Sequence, residues 1–123
     1  MEHEKTVAEP AREELDAMPG PVVVEFGTTW CGHCRAAQPL LASAFAGHPD
    51  VRRIKVEDGP GRKLGRSFKV KLWPTLVFLA DGEEVARLVR PGASVEIEDA
   101  FARLAARLPE TDGRLDQGGR QVS

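Results

Sequence analysis

Residues 22–35 read Val22-Val23-Val24-Glu25-Phe26-Gly27-Thr28-Thr29-Trp30-Cys31-Gly32-His33-Cys34-Arg35, and this stretch decides the fold. Its first five residues are β-branched or apolar apart from Glu25. That pattern predicts a central strand covered on both faces rather than an alternating, half-exposed one. Gly27, Thr28 and Thr29 lead out of the strand toward the cysteines. From Cys31 a helix is predicted as far as Ala46, with Gly47 as its C-cap and Pro49 just beyond. Cys34, Ala37, Leu41, Ala44 and Phe45 recur at helical spacing and form its apolar stripe. Pro39 falls inside this helix and removes the bond to the Arg35 carbonyl, which predicts a kink.

Upstream, the triplet Thr6, Val7 and Ala8 is expected as a short edge strand. Residues 11–18 read as a short helix with acids early, broken by Pro19-Gly20-Pro21. Downstream, residues 51–56 alternate as a strand, Gly59-Pro60-Gly61 turns the chain, and residues 62–68 form a short helix with Leu64 and Phe68 on one face. Residues 75–79 form a strand, Asp81-Gly82 a tight hairpin turn, and residues 84–89 its antiparallel partner. Pro91-Gly92 ends that strand. Ser94 is expected to cap a last helix that turns Ile97, Phe101, Leu104, Ala105 and Leu108 to the core. An early helix followed by β-α-β-α-β-β-α places the chain in the α/β class, with a central mixed sheet and helices on both faces. Residues 1–109 are expected as one domain. Residues 110–123, polar and without aromatics, are expected as a disordered tail.

The 123 residues suffice for one domain with a real core. They are 41% hydrophobic and 29% charged, as soluble globular proteins are. A net charge of -2 and a pI near 5.9 leave no electrostatic footprint for nucleic acid. The beginning Met1-Glu2-His3-Glu4-Lys5 has no apolar run, and no apolar stretch is long enough to cross a bilayer. No membrane partner and a cytoplasmic location are therefore expected.

Only two cysteines are present, three positions apart. A disulfide between them closes a loop too short to staple the fold, so they are there for chemistry. At i and i+3 on a helix start, their Cα atoms lie about 5–6 Å apart, within disulfide range. Free N–H groups and the dipole at a helix N-terminus favour an anion, and such sites lower a thiol's pKa. Cys31 is thus expected as the exposed nucleophile. Cys34, on the buried stripe, is expected to resolve the mixed disulfide. Glu25 is the odd member of its strand. If buried it is disfavoured as an anion, and it is expected to relay a proton to or from Cys34.

Residues 26–35, with Pro39 eight residues after the first cysteine, resemble the thioredoxin family. Residues 68–75, Phe68-Lys69-Val70-Lys71-Leu72-Trp73-Pro74-Thr75, resemble the segment carrying that family's cis-proline, and Asp81-Gly82 its hairpin turn. The resemblance covers about residues 11–108. It implies a thioredoxin fold, a cis bond before Pro74 beside the cysteine pair, and the family's buried acid at Glu25. It also implies a substrate groove lined by Trp30, Gly32, Trp73, Pro74, Pro91 and Gly92. Two positions depart from the family: Gly27 stands where thioredoxins usually carry a second tryptophan, and Gly32-His33 where they carry Gly-Pro. The Cys-Gly-His-Cys turn is similar to that of protein disulfide isomerases. There His33 is expected to stabilise the Cys31 thiolate and make the pair more oxidising; each ~30 mV of such a shift is roughly 1.4 kcal/mol.

The expected function is a thiol–disulfide oxidoreductase acting on disulfide-containing proteins, with electrons returned by a separate reductase. It is expected to be a monomer, with no cofactor beyond the redox-active Cys31–Cys34 pair. A reducing compartment favours net reduction, whereas the histidine favours a disulfide oxidase or isomerase. A binding or chaperone adaptor for another redox enzyme is a further alternative. No metal is expected, because zinc wants four ligands and His3 and His48 would have to converge from separate segments. Arg35 stands where a haem-attachment motif requires histidine.

Overall fold

The computed structural model of the chain describes residues 9–108. Its elements are α1 (Arg12–Asp16), β1 (Pro21–Gly27), α2 (Gly32–Ala46), β2 (Arg52–Glu57), α3 (Lys63–Ser67), β3 (Thr75–Ala80), β4 (Glu83–Val89) and α4 (Ser94–Arg107). This order is the one the sequence implies. The strand expected at Thr6 to Ala8 and the tail at residues 110–123 lie outside the described residues.

The four strands form one sheet in the order β2-β1-β3-β4. β1 pairs parallel with β2 and antiparallel with β3, and β3 pairs antiparallel with β4. This is the mixed sheet with helices on both faces that the resemblance implied. Val22, Val23, Val24, Glu25 and Phe26 are all buried, as a central strand requires. Alternation along β1 then sorts its side chains. Val23 packs with Leu76 and Phe78 against Ala37 and Leu41 of α2 and Ile97, Phe101 and Leu104 of α4. Val22, Val24 and Phe26 pack with Val77 and Leu79 against Leu15, Leu64 and Phe68 on the other face. Burying each such side chain contributes roughly 1.5–3 kcal/mol, enough for the strand to carry one buried carboxylate.

The hairpin turn explains itself locally. Asp81 and Gly82 both have positive φ, 50° and 85°, as the two-residue hairpin requires. The Asp81 carboxylate also accepts the Gly20 backbone N–H at 2.7 Å, tying the hairpin to the chain that enters β1. α2 runs through Pro39 as one helix.

Two local expectations need correction. Ala93, not Ser94, is the N-cap of α4. The role falls to Glu96, whose Oε1 accepts the Gly92 and Ala93 N–H groups at 2.8 and 3.2 Å. On α4 the buried positions are Ile97, Ala100, Phe101 and Leu104, while Ala105 is exposed and Leu108 only partly buried. A stripe spaced three, one and three residues follows the 3.6-residue turn and leaves Ala105 on the outer side. Gly47 does cap α2 but has φ of -83°, so glycine's left-handed freedom is not what selects it there.

Candidate functional site

β1 delivers the chain to the N-terminus of α2, and Cys31 is the N-cap of that helix. Its Sγ accepts the Cys34 backbone N–H at 3.1 Å, taking a place that serine, threonine or aspartate fills at other helices. A sulfur placed there meets a free N–H and the positive end of a 15-residue helix. The expectation that Cys31 is exposed is corrected, since its residue exposure is 6%. The segment before Pro74 covers it: Cys31 Sγ lies 4.0 Å from the Trp73 carbonyl oxygen, to which the thiol can donate weakly. The Trp73–Pro74 peptide bond is cis, as the resemblance implied.

Cys34 is 7% exposed and lies on the buried side of α2. Burial pushes its thiol from 9.0 up to about 11, helped by the hydrogen bond and charge of Cys31 and by the charge of Glu25. The Thr28 backbone N–H acts the other way. Both cysteines are free thiols. Gly27 is where a close approach matters, because a Cβ there would stand 2.7 Å from Cys34 Sγ.

Glu25 is buried, with 4% exposure, but it is not alone in apolar surroundings. Arg53 donates to its Oε1 through Nε at 2.8 Å, and a terminal guanidinium nitrogen lies 2.7 Å from the same oxygen. Gln38 donates to Oε2 at 2.9 Å and to the Cys34 carbonyl at 3.0 Å, so one amide bridges the acid and the second cysteine. Gln38 Oε1 in turn accepts from Arg53 at 2.9 Å. The buried charge is thus paired and hydrogen-bonded, which a carboxylate at this depth requires.

Around the sulfurs, Trp30 is 68% exposed and meets the half-buried Trp73 edge-on, with ring centroids 5.6 Å apart. Trp73 Nε1 donates to Asp58 Oδ2 at 2.9 Å. Arg90 donates from its backbone N–H to the Pro74 carbonyl at 2.9 Å and from Nε to the Trp73 carbonyl at 2.8 Å. Gly32 is the exposed first residue of α2. Pro91 is buried and Gly92 exposed, joined to this cluster through Arg90. The side chain of His33 is exposed and makes no hydrogen bond to another described residue.

The structure therefore gathers Cys31, Cys34, Trp30, Trp73 and Pro74, with Glu25 held behind Cys34 by Gln38. Sequence reasoning missed Arg53, Gln38, Asp58 and Arg90. The alternation of residues 51–56 separated Arg53 from Ile54, but nothing in it gave the β1–β2 register that brings Arg53 to Glu25. The His48 ring stacks on Phe101 at 4.1 Å and contacts Glu98 at 2.9 Å. Among the described residues no group of three or more His, Cys, Asp or Glu side chains could hold a metal ion. No helix among them is long and apolar enough to cross a membrane.

Comparison with known proteins agrees with this geometry. The family model described as Thioredoxin matches residues 3–103. Thioredoxin Asp f 28 of Aspergillus fumigatus is 32% identical over 108 residues, covering 86% of this chain and 100% of that protein. A thioredoxin of Chlamydia pneumoniae is 39% identical over 70 residues, covering 57% of this chain and 69% of that one. Among solved structures, thioredoxin 2 from Pseudomonas aeruginosa PAO1 in its reduced form matches with a TM-score of 0.72 and 65% identity, covering 80% of this chain and 91% of that one.

Proposed function

The chain belongs to the thioredoxin family of thiol–disulfide oxidoreductases, and from that premise we propose that it reduces protein disulfides through Cys31 and Cys34. The Cys31 thiolate attacks one sulfur of the substrate disulfide and expels the other as a thiolate. Cys34, once deprotonated, attacks Cys31 Sγ in the mixed disulfide and expels the second substrate thiolate. The substrate gains two electrons and two protons in all, and the pair leaves as a disulfide. A separate reductase, in a reducing compartment such as the cytoplasm, returns the electrons.

One observation carries this reading: Cys31 Sγ sits at the start of α2, accepting an N–H from a second buried thiol's own backbone. The geometry makes the two thiols unequal. Cys31 has a donor waiting for its anion, whereas burial keeps Cys34 protonated until the mixed disulfide has formed. Glu25 accepts that proton, a role supported by Gln38, which bonds both the acid and the Cys34 carbonyl. Trp30, Gly32, Trp73, Pro74, Pro91 and Gly92 form the groove in which the substrate disulfide is held. Reduction is the direction we favour because a reducing compartment sets net electron flow toward the substrate.

Insulin-disulfide reduction by the wild type and by Cys31→Ser tests the chemistry, and Cys31→Ser is expected to be inactive. Equal activity in the two proteins overturns it. Direction is tested by the reduction potential of the pair against glutathione. A value at or below the cytosolic glutathione poise supports a reductase, and a much more oxidising one favours the oxidase or isomerase.

A further inference from the structure

α3 reads Lys63-Leu64-Gly65-Arg66-Ser67, with a glycine in mid-helix. Glycine there costs helix stability relative to alanine, so its presence asks for a reason. The reason is Asp58. A Cβ on Gly65 would run into the Asp58 carboxylate, which packs against the bare helix backbone at that point. Asp58 is itself buried, and its backbone N–H donates to the Gly27 carbonyl at 2.9 Å, fixing it to the end of β1 just before the cysteines. A carboxylate at that depth needs a donor. The side-chain donor it has among the described residues is the Trp73 indole, at 2.9 Å.

Trp73 is the residue whose carbonyl faces Cys31 Sγ and whose ring meets Trp30. Its carbonyl is held by Arg90 at 2.8 Å, in a residue whose φ of 52° is uncommon for any side chain but glycine. Ring and carbonyl are therefore fixed by separate partners. Without Asp58 the indole would keep its packing on Trp30 but lose the bond that sets its rotation.

We propose that Asp58 is a positioning residue that fixes the Trp73 indole, and so aligns protein disulfides, rather than small ones, with Cys31. This rests on the thiol-exchange reading given above. It assigns Gly65 a role as well, that of leaving room for the carboxylate.

The test compares kcat/KM for insulin with kcat/KM for hydroxyethyl disulfide, a substrate too small to span the groove. Asp58→Ala is expected to lower the insulin-to-small-disulfide ratio about fivefold, the scale of one lost net hydrogen bond. The fall is expected mainly in KM and is accompanied by a changed tryptophan emission. Asp58→Asn keeps an acceptor oxygen and is expected to restore both. Trp73→Phe removes the donor, so adding Asp58→Ala to it is expected to lower the ratio no further. An unchanged ratio in Asp58→Ala, an equal fall in Asp58→Asn, or additive effects with Trp73→Phe overturns the proposal. If Asp58→Ala fails to fold, the Asp58→Asn and Trp73→Phe pair decides: a ratio lowered by Trp73→Phe and kept by Asp58→Asn supports it, and any other pattern overturns it. Activity retained by Cys31→Ser on either substrate would instead sink the thiol-exchange reading itself, whatever the ratio does.

Discussion

Glu25 on β1 and Arg53 on β2 form an ion pair at 2.7 Å, diagonal across the parallel strands. In the register Val23 faces Arg53 and Glu25 faces Lys55, so all these positions share the side of the sheet that α2 covers. The carboxylate is almost wholly buried, while the guanidinium keeps contact with solvent and lies over the Phe45 ring. Arg53→Met is expected to lower stability by about 2–3 kcal/mol, somewhat less than the 3–5 kcal/mol of a fully buried pair. Urea unfolding measures it. Adding Glu25→Gln to Arg53→Met is expected to recover part of the loss, and a double variant as unstable as the sum would contradict the pairing.

The raised thiol of Cys34 makes a pH prediction whose sign follows from linkage. Folding holds this group protonated up to about 11, against 9.0 for an ordinary thiol. Its contribution is therefore fully present below about pH 9 and lost as pH rises toward 11. The reduced protein is expected to lose stability across that window more steeply than Cys34→Ser. Parallel curves for the two proteins would count against a shielded Cys34.

Gly27→Ala places a methyl group 2.7 Å from Cys34 Sγ. Overpacking of this kind is expected to destabilise the reduced form by about 1–3 kcal/mol. Unfolding under reducing conditions reads it, and no change would mean that Cys34 has a second comfortable rotamer.

At the far end of the groove, Glu96→Ala removes the acceptor for two N–H groups at the start of α4 and is expected to cost about 0.5–2 kcal/mol. Ser94→Ala is expected to cost far less, because Ser94 is not the cap. Thermal unfolding of the two variants separates them, and an equal loss would return the cap to Ser94.

Strand and helix identity could be read along the chain because periods of two and 3.6 are local properties. Val22 to Phe26 announced a central strand, and Cys34, Ala37, Leu41 and Ala44 announced the buried side of α2. Glu25 could be singled out for the same reason, as a charge in an apolar run. What surrounds it could not, because Arg53 and Gln38 reach it through strand register and helix docking. The burial of Cys31 was missed on similar grounds. Its cover comes from Trp73, more than forty residues on, and only the folded chain brings that carbonyl to the sulfur. The cap at Ser94 was misplaced because a serine and a glutamate two residues later offer competing acceptors, and backbone conformation chooses between them.

Trp73 is gripped from two sides of the sheet. The residue that follows β2 holds its indole nitrogen, and the residue that follows β4 holds its carbonyl oxygen. Among the described strands β2 and β4 are the outermost. A single residue, through its indole and its backbone carbonyl, thus works as a tie-rod between the two margins of the described sheet, and it is the aromatic neighbour of the thiols that carries the tie.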